Sequence, residues 1–436
     1  MSPILFGLRW LLPLAGALAL MALPLRAADA AKTAAKAPAP ASAPSSFPIV
    51  PNSTGLEFID TSIENASPLW YEQATDGTIL VSLNYDHERA APNRAAGHIH
   101  FLIHGKPGSK IAFELRNLDN VWNGIRGSVA KEIKTMCLSE NGRDWRVISV
   151  DNSNERVRFS VELTGPRLYV ARIEPYRISD LERFLAAIKP HPLVQISPIG
   201  QTVQGRELEI VRVGREDAPY RVFIRARAHP WEPGGNWVVQ GLVNRLLKGD
   251  ADAKRFLDQT CYYFLPMANK DGVALGRTRF NLLGKDLNRN WNDPVDKALA
   301  PENYALEQWL EKMIAAGKKP HFALELHNDG GGRLHVSRPP IPELPRHLER
   351  MAIFEKLLRQ HTWFSEGSTN SAFRNSGTLG EGLLVRYGID AAVHEFNTNI
   401  IATLREPPQA RHWINYGENL ATVFHEYLAT VKPETK

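Results

Sequence analysis

Two patterns of apolar and polar positions divide this chain. Between about Ile49 and Arg177, apolar side chains alternate with polar ones in short runs, TILVSLNY, GHIHFLIHG, KIAFELRN, RVRFSVEL and RLYVARIE, with turn residues between them. Alternation with a period of two marks strands with one buried face, and several in succession predict an antiparallel β-sandwich. Beyond Pro175 the period changes. Strands are predicted at Arg221–Arg227, Tyr262–Met267, Phe322–Leu326 and Ala391–Phe396, and helices at Asp180–Ile188, Asn236–Leu247, Glu302–Ala315, Pro345–Gln360 and Trp413–Leu428. Strands alternating with helices predict an α/β domain, a sheet with helices on both faces and ligands at the strand ends.

The first residues follow neither pattern. Arg9 precedes an apolar run from Trp10 to Leu25, and Ala28 and Ala30 follow in an A-x-A arrangement. The run is short for a membrane span, so residues 1–30 read as a secretory signal peptide and the mature chain as exported, periplasmic or secreted, with no stable membrane insertion after cleavage. No cysteine lies near the cleavage site, which argues against a lipoprotein anchor. Residues 31–47, rich in Ala, Pro, Lys and Ser, bury too little to offset the entropy of ordering and read as a flexible linker. The expected organisation is then a signal peptide at 1–30, a linker at 31–47, a β-sandwich domain at 48–176 and an α/β domain at 177–430.

Composition changes this picture little. The 436 residues carry 52 Lys and Arg against 47 Asp and Glu, a net charge of +5 with no basic block, which gives nucleic-acid binding no support. Cys137 and Cys261 are the only cysteines, too few for a disulfide scaffold in an exported chain. Cys261, inside the apolar run CYYFLPMA, reads as a small buried hydrophobe.

The candidate chemistry gathers at predicted strand ends. In ARAHPWEPGG, His229 and Glu232 stand three apart where a strand breaks into a loop. Imidazole and carboxylate suit a zinc ion that takes three protein ligands and keeps a fourth position open. His98, His100 and His104 share one face of a sandwich strand, where a separate metal site is conceivable. His327 is better placed as a third ligand, because it ends the strand HFALELHNDGGG beside Gly330–Gly332. The polar segment NKDGVALGRTRFNLLGKDLNRNW, Asn269–Trp291, follows a buried strand directly. There Arg289 with Asn288 would clamp a carboxylate, and Arg279 could reach a developing oxyanion. GRTRFNL and GGG lack the spacing of a phosphate loop.

With HPWE, the Asn269–Trp291 block, His327 and Glu395 of AAVHEF in this order, the chain resembles the M14 family of zinc carboxypeptidases, most of all its cytosolic carboxypeptidase subfamily. The resemblance runs from about Leu168 to Leu428, with PYRISDLERFL and IGQTVQGRELEIVRVG matching the subfamily's entry into its catalytic domain. It implies a mixed-sheet α/β catalytic domain behind the antiparallel β-sandwich. It further implies one Zn2+ per chain on His229, Glu232 and His327, with Asp286 orienting His229. Asn288 and Arg289 would hold the terminal carboxylate of a peptide or protein substrate and Arg279 would polarise the scissile carbonyl. Glu395 would activate a zinc-bound water and pass its proton to the leaving amine. His394 and Glu395 point to opposite faces of their strand, so His394 is read as structural.

The match departs from the family near TNSAFRNSGTLGEG, where Phe373 and Arg374 replace an expected tyrosine. The arginine that gives glutamate-removing members a basic pocket is absent too. Glu381 in its place would favour a basic terminal residue, and Arg374 or Arg386 could restore a basic pocket. Two other functions fit the same residues: a zinc amidase acting on peptidoglycan stem peptides or N-acyl amino acids, and a catalytically dead binding protein. The sandwich shows no recognisable site in the sequence.

Overall fold

The computed structural model describes residues 54–369 and 376–432; the expected signal peptide and linker, residues 48–53, Phe373 and Arg374 lie outside them. All five alternating runs form strands of a two-sheet sandwich. One sheet orders Leu56–Asp60, His100–Gly105, Arg167–Ala171, Thr135–Ser139 and Arg146–Ser149, every pair antiparallel. The other orders Val157–Glu162, Lys110–Arg116, Ile79–Leu83 and Leu69–Gln73. Here Ile79–Leu83 and Lys110–Arg116 pair in parallel, so the sandwich is not purely antiparallel. The chain between them visits the opposite sheet, and such a crossover returns a strand in its original direction. Val81, Phe101, Phe113 and Phe159 fill the space between the sheets, with the Phe113 and Phe159 rings stacked at 5.3 Å. A small third sheet joins Asp86–His87, Arg94–Ala95, Asp119–Trp122 and Ile125–Ser128.

The second half is built on a seven-stranded sheet whose strands, in chain order, are β1 (Val194–Gln201), β2 (Glu207–Val213), β3 (Tyr220–Ala226), β4 (Thr260–Leu265), β5 (Phe322–Asp329), β6 (Leu334–His335) and β7 (Asp390–Asn397). Their order across the sheet is β1-β2-β4-β3-β5-β7-β6. The β4-β3-β5-β7 centre is parallel and the flanking pairs are antiparallel, the mixed sheet expected. Strand β4, TCYYFL, is buried at every position because helices cover both faces.

On one face the helices Gly234–Leu246 and Ala410–Val431 pack backbone to backbone. A Cβ on Gly241 would lie 2.0 Å from Ile414 O, and one on Gly417 2.0 Å from Val238 O, so only glycine permits this approach. The other face carries Pro301–Ala315 and Leu379–Tyr387, with Leu306, Leu310 and Leu383 packed on Phe223, Tyr263 and Ala323. Each such buried side chain contributes roughly 1.5–3 kcal/mol. Thr378 caps the Leu379–Tyr387 helix at its start, and Gly388, at φ 61°, ends it. Sandwich and sheet belong to one compact unit, Asn52–Lys436.

The topology places the site. From β3 the chain runs to β4 on one side, and from β5 it runs towards β7 on the other, so the loops leaving β3 and β5 diverge. In open α/β sheets that divergence leaves a crevice at the carboxyl ends of the two strands.

Candidate active site

Strand β3 stops at Ala226, and Arg227 turns the chain with φ 62°, an unfavourable conformation for a bulky residue. Its buried guanidinium pins the turn by donating to Pro230 O at 2.7 Å and Asn236 Oδ1 at 3.0 Å. The loop then presents His229 and Glu232, while His327 arrives from the end of β5; all three are buried. His229 Nδ1 lies 2.9 Å from Glu232 Oε1, His327 Nδ1 lies 2.6 Å from Glu232 Oε2, and the two Nδ1 atoms are 3.1 Å apart. Their ligand atoms all fall within 4.8 Å of one another, and among the described residues this is the group that could hold a metal.

The donor set fits zinc. Tetrahedral bonds of about 2.0–2.1 Å to nitrogen put two ligand atoms about 3.3 Å apart, close to the spacing of the two Nδ1 atoms. Electrostatics point the same way. Burial alone would raise the Glu232 carboxyl, yet His229 and His327 hold it well below the usual range. Burial would lower His327, yet Glu232, Glu325 and Glu395 raise it well above an ordinary imidazole. A cation between these groups is stabilised by the same charges.

Each histidine has a carboxylate behind it. His229 Nε2 lies 3.0 Å from Asp286 Oδ1, and Asp286 Oδ2 accepts from Arg279 Nε at 2.9 Å, with Nη2 of the same guanidinium 2.8 Å away. His327 Nε2 lies 3.1 Å from Glu325 Oε1, and Glu325 in turn pairs with the buried Arg225. With Nε2 protonated towards these carboxylates, both Nδ1 lone pairs are free to face a metal. Glu325 was missed in the sequence, although strand alternation puts it on the same face as His327 two residues later.

Glu395 is placed by strand register. In the parallel β5–β7 pair it stands opposite His327, so both side chains leave the sheet on one face. The residue is partly exposed, yet its Oε2 is sealed from solvent without a protein partner. Burial, with Asp329 and Glu232 adding to it and His327 opposing, raises its carboxyl well above the ordinary range. His394 leaves on the other face and bonds Tyr416 OH at 2.6 Å, deep in the helical core, as its structural reading requires.

A cavity of about 270 Å³ opens here, lined by His229, Glu232, Arg279, Asn288, Arg289 and Glu395 among others. Arg289 has one protein hydrogen bond among the described residues, to Asn288 O at 2.7 Å, and no carboxylate partner there. Asn288 is fixed by Leu379 N, which donates to its Oδ1 at 2.8 Å. Its Nδ2 lies 3.0 Å from His327 Nε2, and once that nitrogen donates to Glu325 the amide N–H groups remain for another acceptor.

Two expectations about the pocket are corrected. The Glu381 carboxylate is buried and accepts from Asn292 Nδ2, Ser376 N and Ser376 Oγ, each at 2.8 Å, so it is not a charge offered to a ligand. Arg386 pairs with Glu307 at 2.6 Å and is no pocket base. Among the described residues the sandwich histidines gather no metal ligands: His98 Nε2 and His100 Nδ1 both contact Asn65 O, and His104 lies 3.7 Å from Asp60 and stacks on Phe58. The sandwich nevertheless reaches the site, since Asn120, Val129 and Glu132 line the same cavity. Nothing in the alternation of a strand announces such a contact.

Residues 181–314 match the family described as zinc carboxypeptidase, Peptidase_M14. The chain is 27% identical over 271 residues to cytosolic carboxypeptidase 6 of Mus musculus, covering 58% of this chain and 50% of that protein. It is 31% identical over 143 residues to the Caenorhabditis elegans cytosolic carboxypeptidase 6, 31% of each chain. The chain thus spans about half the length of the first of these relatives. In fold it is similar to the metallo-carboxypeptidase of Burkholderia cenocepacia, with a TM-score of 0.74 and 19% identity over 86% of this chain and 99% of that one. The metallo-carboxypeptidase of Pseudomonas aeruginosa gives 0.72 and 20% over the same shares. The stretch similar to the M14 zinc carboxypeptidase family takes in His229, Glu232, Arg279, Asp286, Asn288 and Arg289, and the likeness in fold extends to the sandwich.

Proposed function

We propose that this chain is a zinc-dependent carboxypeptidase that removes single residues from the C-termini of peptides or proteins. The observation that carries the reading is the β5–β7 register, which sets Glu395 beside His327 in a cavity that also presents Arg289, which has no acidic hydrogen-bond partner among the described residues. His229, Glu232 and His327 would hold one Zn2+, which when bound polarises a carbonyl and makes water acidic enough to ionise near neutral pH. Arg289 binds the terminal carboxylate as a charged fork, and Asn288 adds a directed N–H. Arg279, with Nε and Nη2 committed to Asp286, turns its remaining nitrogen to the oxygen that gains charge. Glu395 takes a proton from the attacking water at the carboxylate edge that has no protein partner. As the new C–O bond forms and the C–N bond breaks, the same carboxyl returns the proton to the leaving nitrogen.

The reading extends to location: the apolar segment after Arg9 supports export, so the substrates would be periplasmic or extracellular. Among the described residues no helix is long and apolar enough to cross a membrane. The test is a panel of N-blocked dipeptides, poly-glutamate peptides and muropeptides, each with a free or amidated terminus. Release of one residue from free termini alone is expected. Release from none of the peptides overturns the reading, and release from muropeptides alone makes the chain a peptidoglycan amidase.

A further inference from the structure

The hairpin Asp119–Trp122 and Ile125–Ser128 belongs to the small sheet of the sandwich, far in sequence from the residues at the zinc site. Its Trp122 ring nonetheless lies under both active-site arginines, 4.4 Å from the Arg279 guanidinium carbon and 5.3 Å from that of Arg289. Two guanidinium groups held against one ring repel each other, and the indole offers each the negative side of its quadrupole. The hairpin is anchored independently of them. Asn123 N donates to Asn93 Oδ1 at 2.7 Å, Ala96 N donates to Asn120 Oδ1 at 3.0 Å, and Asp119 pairs with Arg94. A second residue of the small sheet, the buried Asp86, accepts from Arg279 N and Phe280 N, both at 2.8 Å, and from Arg277 Nη1 at 2.8 Å.

We infer that this hairpin is a working wall of the cleft and that Trp122 is a positioning residue, a shared aromatic platform that sets the Arg279 and Arg289 guanidinium planes for an anionic group of the substrate. The inference rests on the proposed function, since the anion is taken to be the terminal carboxylate. It gives the sandwich a part in binding that its own sequence does not announce.

The test is calorimetric binding of 3-phenylpropanoate, a simple aryl carboxylate, to the zinc-loaded full chain and to Trp122→Phe and Trp122→Leu. Acetohydroxamate, which seeks the metal, is titrated in parallel. The expected result is a roughly tenfold weaker carboxylate affinity in W122L and near-normal affinity in W122F, with acetohydroxamate binding, zinc content and Tm unchanged. Equal carboxylate affinity in wild type and W122L overturns the inference and leaves the function standing. Loss of carboxylate, hydroxamate and zinc together assigns Trp122 a merely structural role and also overturns it. A wild type that binds acetohydroxamate but no carboxylate refutes the carboxylate site itself, and the inference falls with it.

Discussion

Asp286→Asn isolates what the charge behind His229 contributes. Asp286 is fully buried and accepts from His229 Nε2 at 3.0 Å and Asn288 N at 2.8 Å on Oδ1 and from Arg279 Nε at 2.9 Å on Oδ2, with Arg279 Nη2 2.8 Å from Oδ2 in the same ion pair. Burial would raise its carboxyl, but Arg279 and His229 hold it well below the ordinary range, so it is an anion at every working pH. Asparagine keeps the shape and brings one oxygen and one NH2 group, so whichever way the amide turns, a donor faces donors. Leaving buried donors unmatched costs about 1–3 kcal/mol, and losing the carboxylate makes the His229 ring a poorer ligand. Zinc affinity should therefore fall about 10–100-fold, equivalent to about 1.4–2.7 kcal/mol. Metal-free wild type and variant would be titrated with zinc against a chromogenic chelator, with Tm in excess chelator reporting the fold separately. A variant that binds zinc within about twofold of wild type would refute the idea that Asp286 acts through His229.

Three further outcomes follow from the same geometry. Glu395→Gln should lower kcat by about 10²–10⁴ with zinc content and KM little changed; a parallel loss of zinc would instead make Glu395 part of the metal site. Because burial raises the Glu395 carboxyl, its basic form is present above that raised value and lost as pH falls through it, so the acid limb of kcat/KM should lie well above the ordinary carboxylate range. A limb at an ordinary carboxylate value, together with an unchanged limb in E395Q, would contradict this. Arg289→Ala removes a charged fork worth about 1.5–3 kcal/mol, so KM for free-carboxylate peptides should rise roughly 10–100-fold while acetohydroxamate inhibition stays constant. An unchanged KM would take Arg289 out of substrate binding.

What the sequence made legible was what has a local signature. His229 and Glu232 announce themselves by spacing and a strand break, and the long periodic elements fall within a few residues of their observed ends: the β5 strand expected at Phe322–Leu326 runs to Asp329, and the helix expected at Trp413–Leu428 spans Ala410–Val431. Weaker local signals were lost. The helix Leu379–Tyr387 holds two glycines, and the helix Ala251–Gln259 is only 9 residues long with a polar mean, so neither stands out by propensity. Strand β1 has no fully buried position because it lies at the sheet edge, so its pattern is weak. Contacts distant in sequence left no trace. Asp86 beneath Arg279, Trp122 beneath Arg279 and Arg289, and the internal bonding of Glu381 depend on how separate segments pack, which no periodicity encodes. For the same reason a charge at a familiar place in the chain, such as Glu381, was no guide to what faces the cavity.

The central claim is tested most directly by mass spectrometry of one synthetic peptide, with a free or amidated C-terminus, incubated with the full chain stripped of metal and then restored with one zinc per chain. The account predicts a ladder losing one residue at a time from the free terminus, only after zinc is restored, and an intact amidated peptide. A chain that holds its zinc and leaves both peptides whole, or that cuts the two alike at an internal bond, would contradict it.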